Sequence, residues 1–176
     1  MKTHIPLAFG SLVEIIGTSL ALFMIYSAAN IQVSSIKLIL YLLSIGCLIF
    51  FPHSLAHFTV GSLVGIRFKY YQIGRSSIFK LKLPIKVPNI PVLTLVVDHS
   101  SLIKVSAGAK AAMYASGVIV SITFPFIVAA CAFQQLPLLL WAILFIVSVS
   151  NLVFDLYYSP RAGDLSRMRV QAAKKL

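Results

Sequence analysis

Four long apolar stretches decide what this chain can fold into. Ile5–Ala29, Ile36–Ile66, Ala111–Phe133 and Pro137–Tyr158 are each long enough to cross a hydrocarbon layer of about 30 Å, which takes roughly 20 helical residues. The second is too long for one straight crossing, and Pro52 lies in its middle. A proline there removes a backbone donor, so a kink or a restarted helix is expected. Hydrophobic residues make up 59% of the 176 and charged residues only 11%, against about 25% charged in an ordinary soluble domain. One water-soluble core could not hide that much apolar surface, so lipid must cover part of it. The expected architecture is an all-α integral membrane protein with about four transmembrane helices, forming one membrane domain over residues 1–176.

The charges orient these spans. Basic residues number fifteen against four acidic ones. They fall between the apolar runs, the pattern of loops that obey the positive-inside rule and not of a nucleic-acid surface. Loop 67–110 carries Arg67, Lys69, Arg75, Lys80, Lys82, Lys86, Lys104 and Lys110. The tail carries Arg161, Arg167, Arg169, Lys174 and Lys175, and Lys2 precedes the first span. Only Lys37 lies near an opposite-side connection, and Gln134-Gln135-Leu136 has no charge. A multi-pass protein of the cell membrane, with both termini and the long loop in the cytoplasm, satisfies all of this. The partners expected on these grounds are the lipid bilayer and no nucleic acid. Glu14 and the length of the first run argue for a retained span over a signal peptide.

Cys47 and Cys131 both fall inside apolar runs and fit no disulfide framework or cysteine metal motif. In the long loop, Phe79-Lys80-Leu81-Lys82-Leu83 alternates apolar and basic, and Val92–Val97 is rich in β-branched residues. With Pro84, Pro88 and Pro91 between them, these runs predict a short cytoplasmic β-hairpin lying against the membrane. Tyr70, Tyr71, Tyr157 and Tyr158 sit at span ends and suit an interfacial aromatic belt. Asp98-His99-Ser100 has the residue types of a catalytic triad, but adjacent residues do not face one another as a triad requires. A capped turn is expected there. The tail from Ser166 suits a basic surface helix.

Ionisable groups inside lipid are costly, so each is a functional candidate. Glu14, His53, His57 and Asp155 are four such residues. His53 and His57 stand i, i+4, which puts both imidazoles on one helix face, the geometry that lets two neutral histidines share a metal ion. Counted along straight helices, His57 and Glu14 lie roughly 12–14 Å inside the cytoplasmic boundary, Asn151 roughly 10 Å and Asp155 roughly 5 Å. A carboxylate from the first span, two histidines from the second and a polar group from the fourth are therefore expected to converge.

These residues resemble the site-2-protease type of intramembrane zinc metalloprotease. That family has a His-Glu-x-x-His helix, a Gly-x-Arg-like stretch, a membrane-associated β-hairpin and a small-residue motif, then Asn, Pro and a metal-binding Asp. The corresponding order here is His53-Ser54-Leu55-Ala56-His57, Gly65-Ile66-Arg67, the loop, Ala115-Ser116-Gly117, Asn151, Asp155, Ser159-Pro160 and Gly163-Asp164. The resemblance covers most of the chain from about residue 50 onward. It implies a zinc ion held by His53, His57 and a third ligand, either Asp155 or Asp164, and a transmembrane protein segment as partner.

One departure bears directly on activity. Ser54 stands where the family has its catalytic Glu, and a serine hydroxyl cannot act as the base. Losing a general base costs about 10²–10⁴-fold in rate. The first expectation is thus a metalloprotease-like protein that binds metal or a transmembrane partner without hydrolysis. Two alternatives accompany it: an active zinc protease with Glu14 as the base, and a small proton- or metal-coupled transporter or membrane-complex subunit.

Overall fold

The computed structural model describes residues 4–75 and 91–173. Its elements run β1 (His4–Ile5), α1 (Leu7–Asn30), α2 (Ser34–Leu63), β2 (Phe68–Arg75), β3 (Pro91–Val97), α3 (His99–Lys104), α4 (Ala107–Ala132), α5 (Leu138–Tyr158) and α6 (Asp164–Ala173). α1, α2, α4 and α5 are the four helices long and apolar enough to cross a membrane. Their outward faces carry large bare side chains: Phe23 is 63% exposed and Leu139 77%. Water would not tolerate such a surface on this scale, so this is a multi-pass membrane protein.

α2 is the central helix, packing most extensively on α4 and α1, while α5 lies against α4. Ala21, Ala28, Ala129 and Ala132 are buried with Tyr41, Ile45, Leu48 and Leu144 in the core at one end. Small residues let helix backbones approach where no hydrophobic force separates protein from lipid. Ser44 uses that proximity, donating to the Ala21 carbonyl at 3.1 Å. A second, smaller core of Ile66, Leu102, Met113 and Tyr114 closes the other end, beneath the sheet.

α2 remains helical through Pro52, so of the two expectations, a kink or a restart, the restart does not occur. It ends through a Schellman arrangement: Ile66 N–H donates to the Gly61 carbonyl at 2.8 Å and Gly65 N–H to Ser62 at 3.1 Å. Gly65 has φ +88°, a left-handed conformation that favours glycine. This turn feeds β2, the middle strand of an antiparallel sheet ordered β1-β2-β3. Val92–Val97 falls within β3, as expected, and among the described residues it pairs with Phe68–Arg75, with Gln72 opposite Thr94 and Phe68 opposite Val97. The strand proposed at Phe79–Leu83 lies outside the described residues. The pairing to Phe68–Arg75 follows from the Gly65 turn, which sends the chain straight from α2 into an extended segment. Asp98 caps α3, accepting from Ser100 N–H at 3.3 Å and from the Ser100 hydroxyl at 2.8 Å. The capped-turn reading of Asp98-His99-Ser100 is thereby borne out.

The interior of α4 also contains a proline. Pro125 has no N–H to give the Ser121 carbonyl four residues earlier. Asn151 of α5 supplies the missing donor, its Nδ2 lying 2.9 Å from that oxygen. We therefore expect Asn151→Leu to destabilise the bundle by about 1–3 kcal/mol, the cost of stranding a buried acceptor. In a Pro125→Ala background that cost should shrink, because the substituted residue has a backbone N–H to give the Ser121 carbonyl. A double-mutant cycle of unfolding in detergent measures the coupling, and additive losses would show that Asn151 acts otherwise.

Candidate metal centre

His53 and His57 project from one face of α2, as their spacing predicts. Their Nε2 atoms are 3.1 Å apart. Asp164, the first residue of α6, brings Oδ2 to 3.1 Å from His53 Nε2 and 3.2 Å from His57 Nε2. Three potential ligand atoms thus form a nearly equilateral triangle, a group able to hold a metal ion.

The opposite ring nitrogens fix what those atoms are. His57 Nδ1 lies 2.6 Å from the Met113 carbonyl. A carbonyl only accepts, so this nitrogen carries the proton and Nε2 presents its lone pair in the neutral ring. His53 Nδ1 lies 2.8 Å from Ser121 Oγ, and Ser121 spends its own proton on the Ile49 carbonyl at 3.1 Å. Ser121 Oγ therefore accepts from His53 Nδ1–H, which again leaves Nε2 bare. Asp164 contributes a carboxylate oxygen, Oδ2, as the third donor atom.

Three electron-pair donors within 3.2 Å of one another call for positive charge between them, either a shared proton on an imidazole or a metal ion. A cation suits the gap. Ligand bonds of about 2.0–2.1 Å at tetrahedral angles give ligand separations of about 3.3 Å, and an octahedral face gives about 3.0 Å. The observed edges fall between these values, and the fourth vertex is not filled by a fourth clustered ligand among the described residues. Protein side chains cover the histidines unevenly, His53 being 30% exposed against 12% for His57. The open side of the site is therefore at His53.

Gly117 of α4 makes the approach possible. A Cβ at that position would fall inside the contact distance of both imidazole Nε2 atoms. On the far side, α5 ends at Tyr158 and the chain reverses: Ala162 N–H donates to the Tyr158 carbonyl at 2.9 Å and Ser166 N–H to the Ser159 carbonyl at 3.0 Å. This reversal through Ser159-Pro160 swings Asp164 back to the histidines.

Of the two carboxylates considered for the third position, the structure brings Asp164 to the histidines. Asp155 remains on α5, near enough to interact electrostatically with His53 and Asp164, and its buried Oδ2 has no hydrogen-bond partner among the described residues. Counting depth along a straight helix favoured Asp155 because it ignored the reversal. Glu14 is buried at 2% exposure. It accepts from the Tyr71 hydroxyl at 2.9 Å, and Ser54 and His57 of α2 are near enough to interact with it electrostatically. Glu14 supplies none of the clustered donor atoms, which come from His53, His57 and Asp164.

Tyr71 is not part of an aromatic belt. It is fully buried between α1 and the sheet, and burial together with the neighbouring Glu14 raises its pKa, against the opposing Ser11 hydrogen bond. The group stays a neutral donor. Its burial and the roles of Ser121 and Met113 were not foreseen, although a strand beginning at Phe68 would have placed Tyr71 and Tyr70 on opposite faces. Tyr70 instead packs against His4 with the rings tilted, their centroids 4.1 Å apart.

Compared with family models, curated proteins and solved structures, the chain matches none. The site's reading accordingly rests on its own geometry. We expect Gly117→Val to abolish tight metal retention although it alters no ligand, because the added side chain displaces both imidazoles. Metal analysis of purified protein, with circular dichroism to verify helix content, tests this; undiminished metal in a folded variant would contradict it.

Proposed function

We propose that this protein carries a membrane-embedded zinc centre of the site-2-protease kind, held by His53, His57 and Asp164, and that it receives a transmembrane protein segment there. The observation that carries this reading is the triangle of three donor atoms, each with its lone pair directed by a hydrogen bond or charge on the opposite side. Histidine ligands of metal sites are oriented in this way by partners on the other ring nitrogen. Two imidazoles and one carboxylate with an open position suit catalytic zinc. The same donor set accepts ferrous iron, so the metal analysis must distinguish the two.

A bound divalent ion would supply Lewis-acid polarisation of a carbonyl and acidify a water molecule. The chain's own residues do the rest. Met113 and Ser121 hold the imidazoles in one tautomer. Gly117 leaves room beside them, and the open flank at His53 gives access. The order of motifs along the chain, from the histidine helix through the β-sheet to Asn151 and Asp164, supports the same reading. So does the basic character of the segments flanking this end of the bundle, which puts the site on the cytoplasmic side.

The expected result is close to one zinc per chain in detergent-purified protein, lost in His57→Ala and in Asp164→Ala. Asp155→Asn should retain it. Elemental analysis by mass spectrometry decides the matter: iron in place of zinc would reassign the metal, and no metal in the folded wild type would overturn the centre.

A further inference from the structure

The site has a second carboxylate that metal binding alone does not require. Ser54 lies between the two histidines in sequence, at the position where the resembled family carries its base. It faces Glu14 of α1. α1 runs close to its neighbours on either side of Glu14: a Cβ on Gly17 would meet the Phe51 ring of α2, and one on Gly10 the Tyr71 ring of β2. The Glu14 carboxyl is thus held on the side of α2 that position 54 presents. Tyr71 Oη fixes one oxygen, Glu14 Oε2, at 2.9 Å, and Ser11 Oγ lies 3.4 Å from the same phenol. These groups are contributed by three separate elements, which is more apparatus than a helix-packing contact needs.

We infer that Glu14 is the general base of a hydrolytic centre that cleaves peptide bonds, supplied from α1 in place of a residue on the histidine helix. This rests on the zinc reading above. In the reaction, the O–H bond of a water molecule breaks and its proton passes to Glu14. The water oxygen bonds to the carbonyl carbon of the peptide group. The C–N bond then breaks, and the amine departs with the proton that Glu14 held. One water is consumed, an acid and an amine are formed, and nothing is oxidised or reduced. Asp155 is the competing carboxylate. Its orphaned oxygen is near His53, but no donor among the described residues fixes it in place, and a base must first be positioned.

Acetohydroxamate separates these roles without a known substrate, because it binds a metal ion while giving a proton or hydrogen bond to an adjacent base. Its affinity for the zinc-loaded full-length protein in detergent can be measured by calorimetry. Glu14→Gln should weaken binding about 10- to 100-fold, the equivalent of one charge-assisted hydrogen bond, with zinc content unchanged. Asp155→Asn should bind as wild type does. The exchange variant, Glu14→Ser with Ser54→Glu, should recover at least part of the loss, which a merely structural Glu14 would not allow. That variant also tests the proposal if Glu14→Gln proves unstable.

Equal affinity in wild type and Glu14→Gln at matched zinc content would overturn the proposal. So would a loss confined to Asp155→Asn, an exchange variant that holds zinc without recovering affinity, or a zinc-loaded wild type that does not bind the probe. A folded wild type without zinc would sink the metal reading itself, and this inference with it.

Discussion

A polar group carried into the apolar layer must find its partner inside the protein, and the candidate centre depends on how α2, α4 and α5 meet that demand. No solvent is available there to satisfy a stranded carbonyl. Pro125 strands the Ser121 carbonyl and Asn151 rescues it. The hydroxyl of the same Ser121 donates to Ile49, in the turn that precedes Pro52, and accepts from His53. A single residue thus joins two proline-interrupted helices, a third helix and an imidazole. The orientation of His53 is a by-product of backbone satisfaction, which explains why it is held firmly although it is the more exposed of the two histidines.

His57 is fixed differently. Its anchor is the Met113 carbonyl, and its ring lies where α2 and α4 approach across Gly117. Asp164 is returned by the reversal after Tyr158, with α6 packed on α4. The two histidines share α2, and both of their anchors, Ser121 and Met113, belong to α4, so α4 is common to all three donor atoms. Their mutual separations agree to within 0.1 Å. Uncompensated, the arrangement would cost energy, since lone pairs and a carboxylate face one another where little water reaches. A cation converts that cost into binding affinity.

The legible and illegible parts of the sequence divide along physical lines. The spans follow from hydropathy because lipid imposes it residue by residue. The His53–His57 pair follows from helical spacing, a property of straight helices. What could not be read depended on where the chain turns. Depth counting favoured Asp155 because nothing in the apolar pattern of Pro137–Tyr158 reveals the reversal that returns Asp164. The pairing of β3 with Phe68–Arg75 was hidden because that segment carries the mixed character of a strand with one buried and one wet face, where Lys69 and Gln72 dilute the β-branched signal. Tyr71 belonged to that segment and went with it.

Ser54 illustrates the same division at the level of chemistry. Read along the chain, it marks a motif that has lost its carboxylate, and a protein that has lost its reaction. Read in space, α1 carries a buried carboxylate that is fixed by Tyr71 from the sheet and feels the charge of His57. A base on the histidine helix is placed by that helix alone. A base on α1 is placed only when α1, α2 and β2 are all assembled, because Glu14 finds its partners on the latter two. The motif's function is a requirement on where charge sits relative to the donor triangle, and a sequence pattern records only one of the ways to meet it.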